Sequence, residues 1–194
     1  MIGLILPARL DRAGAVERFH RRRWGNLFGL IPTRPVKVDE DGLPASLEMV
    51  WMPAFAYRFS MMYKGKPVQS WVTIDASFGG FALFGRVKEV AEGNMAGEIF
   101  PDVLGSEESE TLARDGVVRY ILRKRGPKPT VNDIEEQFHF YAPVWVYYFR
   151  AAGGKIDLAV LDAYSGDRMG GLVRRAIVEG FIAKRREAAG TETT

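Results

Sequence analysis

The chain states one pattern twice. Trp51-Met52-Pro53-Ala54-Phe55-Ala56-Tyr57-Arg58-Phe59 matches Tyr141-Ala142-Pro143-Val144-Trp145-Val146-Tyr147-Tyr148-Phe149, with Pro, Tyr and Phe in register 90 residues apart. Aromatic residues coincide at two further positions. Each stretch then reaches a Gly-Lys pair, Gly65-Lys66 and Gly154-Lys155, and an apolar run that closes on Asp-Ala-x-x-Gly, at Asp75 to Gly79 and at Asp162 to Gly166. Upstream, Val16 to Gly25 resembles Val117 to Gly126 at a spacing of 101 residues, both reading Val-x-Arg-aromatic, then Arg, then Gly. An internal repeat decides a fold more firmly than any single motif, because each copy must bury its apolar face against the other. An isolated two-stranded hairpin is marginal in water, so the copies must share one core.

The residues within a copy predict a helix, a loop and a hairpin. Tyr141 to Phe149 is rich in aromatic and β-branched residues, which suit a strand. Gly153-Gly154 is a turn signal, and Lys155 to Asp162 gives the return strand. The Asp side chain can bond backbone amides just ahead of it and the Gly accepts positive φ, so the Asp-Ala-x-x-Gly segment reads as a turn. Met169, Leu172, Val173, Ala176, Ile177 and Phe181 recur at helical spacing. A second helix is expected around Ala113, Val117, Tyr120 and Ile121, although Gly116 weakens it by about 1 kcal/mol relative to Ala. A third is expected where Leu83, Phe84, Val87, Val90 and Ala91 share a face, and Pro129 to Asn132 reads as loop. Pro53 and Pro143 interrupt good strand patterns, which places each at a sheet edge, a bulge or a strand start. The expected architecture is α+β: a tandem duplication of a helix-strand-strand unit that forms one antiparallel sheet, with helices packed on one face. Copy one spans about 8–92 and copy two about 106–187, joined by a connector at 93–105, all within a single pseudo-twofold domain over 1–194.

Composition removes much of the catalytic repertoire. There is no Cys, which excludes a disulfide framework, a thiolate metal site and a cysteine nucleophile. Two histidines, His20 and His139, do not make a three-His metal site. No apolar run approaches the roughly 20 residues of a membrane span. The opening Met1 to Pro7 suits a strand better than a signal peptide, so a cytoplasmic location is expected. The glycines at Gly79 to Gly85 lack the Lys-Ser/Thr of a phosphate-binding loop, and no cofactor is expected.

Two features can carry function. The first is an aromatic stripe: period-two reading puts Trp51, Phe55 and Tyr57 on one strand face, and Tyr141, Trp145 and Tyr147 on its counterpart. The stripe is either core beneath the helices or an open platform for an apolar ligand or for the stacked bases of a single strand. The second is basic clustering, with Arg22 and Arg23 after one predicted helix and Arg123, Lys124 and Arg125 at the end of another. Cations at helix ends complement the helix dipole; beside aromatic rings they also suit nucleic acid, which the net charge of +3 alone does not imply. Asp75 and Asp162 are the repeated ionisable pair, able to act as an acid–base dyad only if the symmetry brings them together. An open sheet edge would allow a homodimer.

The aromatic-Pro-x-Trp strand followed by a hairpin ending in Asp-x-x-x-Gly resembles a pattern in uncharacterised bacterial proteins. The hairpin is also similar to the closing part of PepSY-type modules, whose last strand commonly ends in an Asp-Ala-x-Thr-Gly turn. The resemblance covers about a third of each copy and implies a small, often duplicated α+β unit that binds or inhibits rather than catalyses. The expected function is therefore a non-catalytic binding or regulatory protein. Single-stranded nucleic-acid binding and an enzyme using the paired aspartates are the alternatives.

Overall fold

A computed structural model describes residues 1–21, 23–24, 32–33, 47–150 and 156–191. In chain order the elements are β1 (Ile2–Ile5), α1 (Arg12–His20), the short β2 (Arg23–Trp24) and β3 (Pro32–Thr33), β4 (Leu47–Tyr63), β5 (Lys66–Asp75), β6 (Phe81–Leu83), a 3₁₀ turn at Val87–Glu89, β7 (Ala91–Asn94), β8 (Glu98–Ile99), α2 (Ser106–Arg123), β9 (Thr130–Arg150), β10 (Ile156–Asp162) and α3 (Gly171–Thr191). Among the described residues, eight strands form one sheet in the order β6-β5-β4-β9-β1-β7, with β10 also beside β9 and β8 also beside β4. Among the described residues, β2 and β3 form a separate two-stranded sheet. The fold is α+β, as the sequence predicts. The sheet is mixed rather than purely antiparallel, because β1 meets β9 and β8 meets β4 in parallel.

The two repeated segments are each other's partners. β4 and β9 run antiparallel with Trp51 opposite Pro143, Met52 opposite Ala142 and Pro53 opposite Tyr141. Each then forms a hairpin on its outer side, with Ala54 opposite Asp75 in one and Val144 opposite Asp162 in the other. Backbone bonds match across the pair. Ala76 N donates to Pro53 O at 2.9 Å, and Ala163 N to Pro143 O at 3.0 Å. Phe100 N donates to Trp51 O at 3.0 Å, and Leu6 N to Tyr141 O at 2.9 Å. Leu104 N and Leu10 N each donate to the alanine after the turn Asp, Ala76 and Ala163, at 2.8 Å.

Both prolines lie in the middle of the sheet rather than at an outer edge or a strand start. Pro53 falls between the last β5 pairing, at Ala54, and the first β8 pairing, at Trp51. Pro143 falls between the last β10 pairing, at Val144, and the β1 pairing, at Tyr141. At each site one outer neighbour has ended and the next has not begun, so the missing N–H removes no ladder bond.

The core fills both faces. On the odd-numbered face of β4 and β9, α2 covers the first hairpin with Ala113, Val117 and Ile121 over Tyr57, Phe59, Val72 and Ile74. α1 covers the second, with Ala15 and Phe19 over Trp145, Tyr147, Leu161 and Ala163. On the even face α3 packs Val173, Ala176 and Ile177 against Val144, Val146, Leu158 and Val160. Leu6 and Phe84 close the other half of that face over Ala54, Ala56 and Phe140, with Val87 and Val90 alongside.

Several expectations are corrected. The helices occupy both faces, because each face of the long β4–β9 pair is apolar. The helix expected around Leu83 to Ala91 is instead β6 and the 3₁₀ turn, because Phe81 to Leu83 extend the β5 edge, pairing with Ile74 to Val72. Thr130 to Asn132 belong to β9, paired at Thr130 and Val131 with Met62 and Met61. The helix match at 101 residues is two turns out of phase: by backbone bonding α1 and α2 begin 94 residues apart, at Arg12 and Ser106. Seven residues make nearly two turns, so the same face recurs and the sequence pattern repeats with it. The helix that opens each predicted copy also packs on the hairpin of the other copy. The Gly153-Gly154 turn lies outside the described residues. Among the described residues the sheet keeps open edges, at the short β6 and β7, at the seven-residue β10 beside β9, and at the part of β5 before Val72.

Candidate functional site

Four of the six stripe residues are core. Trp51, Tyr57, Trp145 and Tyr147 are buried, and three of them spend their polar handle on backbone. Trp51 Nε1 donates to Ala96 O at 2.9 Å, Tyr57 Oη to Ser106 O at 3.1 Å and Trp145 Nε1 to Leu10 O at 2.8 Å. Burial pushes the Tyr57 hydroxyl up to about 12. Tyr147 packs its ring on Phe19, 5.6 Å between centroids. Base stacking needs open ring faces, whereas Tyr57 lies beneath α2, Trp145 and Tyr147 lie beneath α1, and Trp51 is buried as well.

Phe55 and Tyr141 are only half-buried. They sit between the two helices, each 4.9 Å from the ring of His139. His139 Nε2 lies 3.0 Å from Asp102 Oδ1, within hydrogen-bond reach. Burial, aided by the Asp102 charge, raises the Tyr141 hydroxyl. The sequence offers His139 but does not join it to Asp102, because they are 37 residues apart with no motif between them. Among the described residues no three His, Asp or Glu side chains converge as metal ligands.

The repeated aspartates do not form a dyad. Asp75 ends β5 and Asp162 ends β10, and β4 and β9 lie between them. Three strand spacings are about 14 Å, far beyond the reach of a shared proton. Each Asp caps its own turn: Asp75 Oδ1 accepts from Ser77 N at 2.8 Å, and Asp162 Oδ1 from Tyr164 N at 2.8 Å. Burial pushes Asp75 up to about 6, against the bonds from its turn.

A cluster that the sequence does not flag surrounds Tyr164. The guanidinium carbons of Arg9 and Arg86 lie 4.3 and 4.0 Å from its ring centre. Glu89 accepts from Tyr164 Oη at 2.6 Å and from Arg9 at 2.5 Å, and Arg86 is 3.6 Å from Asp162. The two cations are matched by two carboxylates, so the group fastens the 3₁₀ turn to the second hairpin with no surplus charge.

Surplus charge lies at one end of the sheet. Met61 shares a cluster with Val117, Ile121 and Val131, which sets the end of α2 beside the tip of the first hairpin. Thr130 pairs with Met62, and Lys128 Nζ reaches back to Leu122 O at 3.3 Å. This brings Lys64, Lys66, Arg119, Arg123, Lys124, Arg125 and Lys128 to one end, all exposed. Neither 61–68 nor 116–131 contains an acidic residue. The helix dipole accounts for Arg123 in the last turn of α2, but not for Lys64, Lys66, Arg125 or Lys128, which lie outside the helix. Of the predicted basic patch, Arg123, Lys124 and Arg125 are therefore together. Arg22 lies outside the described residues, and Arg23 is described only as backbone of β2. α1, which leads into them, packs over the second hairpin at the opposite end of β4. The sequence shows the helix cations but not their meeting with Lys64 and Lys66, which depends on α2 packing against the first hairpin.

No protein-family model, curated protein or solved structure matches the chain.

Proposed function

We propose that this protein is a non-catalytic binding protein that engages polyanionic partners through the end formed by the tip of the β4–β5 hairpin and the C-terminus of α2. One observation carries the reading: two segments distant in sequence converge to expose seven cations with no acid within either. The nearest acids on β9 are in ion pairs, Asp133 with Arg114 at 3.2 Å, and Glu135 and Glu136 sharing Arg58 at 3.3 and 2.9 Å. Such a field draws anionic partners, and its effect is screened by salt. The test is retention on immobilised heparin as a function of salt. The wild-type chain should elute only at raised salt, and Lys64→Glu/Lys66→Glu/Arg123→Glu/Lys124→Glu should elute early with an unchanged circular dichroism spectrum. Co-elution of the two proteins at the same salt would refute the reading.

The body that presents this end is proposed to derive from a tandem duplication. The 90-residue sequence match and the paired backbone bonds around Met52 and Ala142 support it. The likeness to PepSY-type modules, which are generally regarded as binding units, is in keeping with the same reading.

A further inference from the structure

We infer that the partner of this basic end is an anionic lipid surface; the inference rests on the reading of that end as the binding face. The cations alone do not distinguish a bilayer from a nucleic acid. The side chains between them do. Tyr63 and Val68 on the α2 side of the hairpin and Val118 and Leu122 of α2 are exposed, at 36%, 36%, 47% and 60%, as is Met62 on the other side of the tip, at 40%, all within the same two acid-free segments. A nucleic-acid backbone rewards cations and flat ring faces, and gives nothing to an exposed Met, two Val and a Leu. A headgroup region rewards both halves of the set. Apolar side chains enter the acyl boundary while Lys and Arg meet anionic headgroups. Lysine stems lie along apolar surface with the ammonium in water, and Tyr suits the interface.

Shape agrees with chemistry. Lys64 and Gly65 have φ of 51° and 73°, the left-handed pair of a tight two-residue hairpin turn. The tip is therefore narrow and convex. Such a tip can enter a headgroup layer but cannot wrap a strand. The cations over the tyrosines, Lys64 at 5.6 Å from Tyr63 and Lys124 at 4.7 Å from Tyr120, keep charge and ring together at the same depth. Of the acids that border these segments, Asp133 is held by Arg114, and Asp115, exposed one turn before Arg119, is the one nearest the exposed face of α2. Among the described residues no helix is long and apolar enough to cross a membrane.

The test is co-sedimentation of the full chain with phosphatidylcholine vesicles, with and without phosphatidylserine, alongside heparin retention and binding of a single-stranded oligonucleotide. Each Lys or Arg near an anionic bilayer strengthens binding about fivefold, so binding should require phosphatidylserine and fail in the four-site charge reversal. Met62→Ser/Leu122→Ser should weaken vesicle binding about tenfold or more and leave heparin retention unchanged. Val68→Ser/Val118→Ser carries the same expectation, should the first pair fail to fold. Heparin retention without vesicle binding would overturn the lipid inference and leave the polyanion reading standing. So would vesicle binding indifferent to both apolar pairs, or an oligonucleotide bound more tightly than the vesicles. Absence of both heparin and vesicle binding would overturn the two together.

Discussion

Asp75 and Asp162 occupy the same place in two matching turns, yet their surroundings differ. Asp162 has the Arg86 guanidinium 3.6 Å away. Asp75 is pushed up to about 6 by burial, from an ordinary value of 3.8. A carboxyl whose folded value is raised contributes stability below its unfolded value and loses it as pH rises through the folded one. The loss therefore falls between about pH 4 and pH 6 and, at 1.36 kcal/mol for each pH unit of difference, amounts to up to about 3 kcal/mol. Asp75→Asn keeps an oxygen for Ser77 N and carries no charge. Urea unfolding should show the variant gaining on the wild type between pH 4 and pH 7. An equal difference at both values would show that burial of the charge costs nothing.

At the scale of elements, close approach explains what propensity does not. Gly116 sits in the middle of α2, where propensity alone favours Ala by about 1 kcal/mol. A Cβ there would meet Phe81 of β6 at 2.2 Å. The glycine lets the helix lie against the sheet edge, and Gly180 of α3 does the same against Phe100, where a Cβ would meet the ring at 2.7 Å. Gly116→Ala should therefore destabilise the protein by about 1–3 kcal/mol, as overpacking does, despite its better helix propensity. Thermal unfolding of this single variant decides the sign. A stabilised variant would mean that Phe81 gives way freely.

At the scale of the molecule, the two helices of the odd face are exchanged relative to the chain. α1 precedes the first hairpin and covers the second, whereas α2 precedes the second and covers the first. A fragment 1–104 would keep the first hairpin without its helix, and 105–194 would keep α2 without the hairpin beneath it. Neither should fold cooperatively alone, and mixing should restore the near-ultraviolet dichroism of the buried Trp51 and Trp145. A fragment that unfolds cooperatively without its complement would contradict this dependence. The same exchange places the end of α2 beside the first hairpin tip and so creates the basic end.

The strands and turns were legible because their causes are local. Alternating aromatic residues, the Asp caps at Asp75 and Asp162, and the Gly-Lys pair at Gly65-Lys66 act within a few residues of themselves. The four-to-three-residue periodicity of α3 is equally local, and the α+β class follows from these elements together. What the rings of Trp51, Tyr57, Trp145 and Tyr147 face was not legible, since a buried stripe and an open platform share one period. Nor was the phase of the helices, because a slip of two turns preserves the apolar face. Local backbone preference and periodicity, which the chain carries by itself, determined the elements. Tertiary packing alone decided which helix closes which hairpin. It thereby chose which aromatic rings are core and which cations meet, because those pairings join residues that no short stretch of chain brings together.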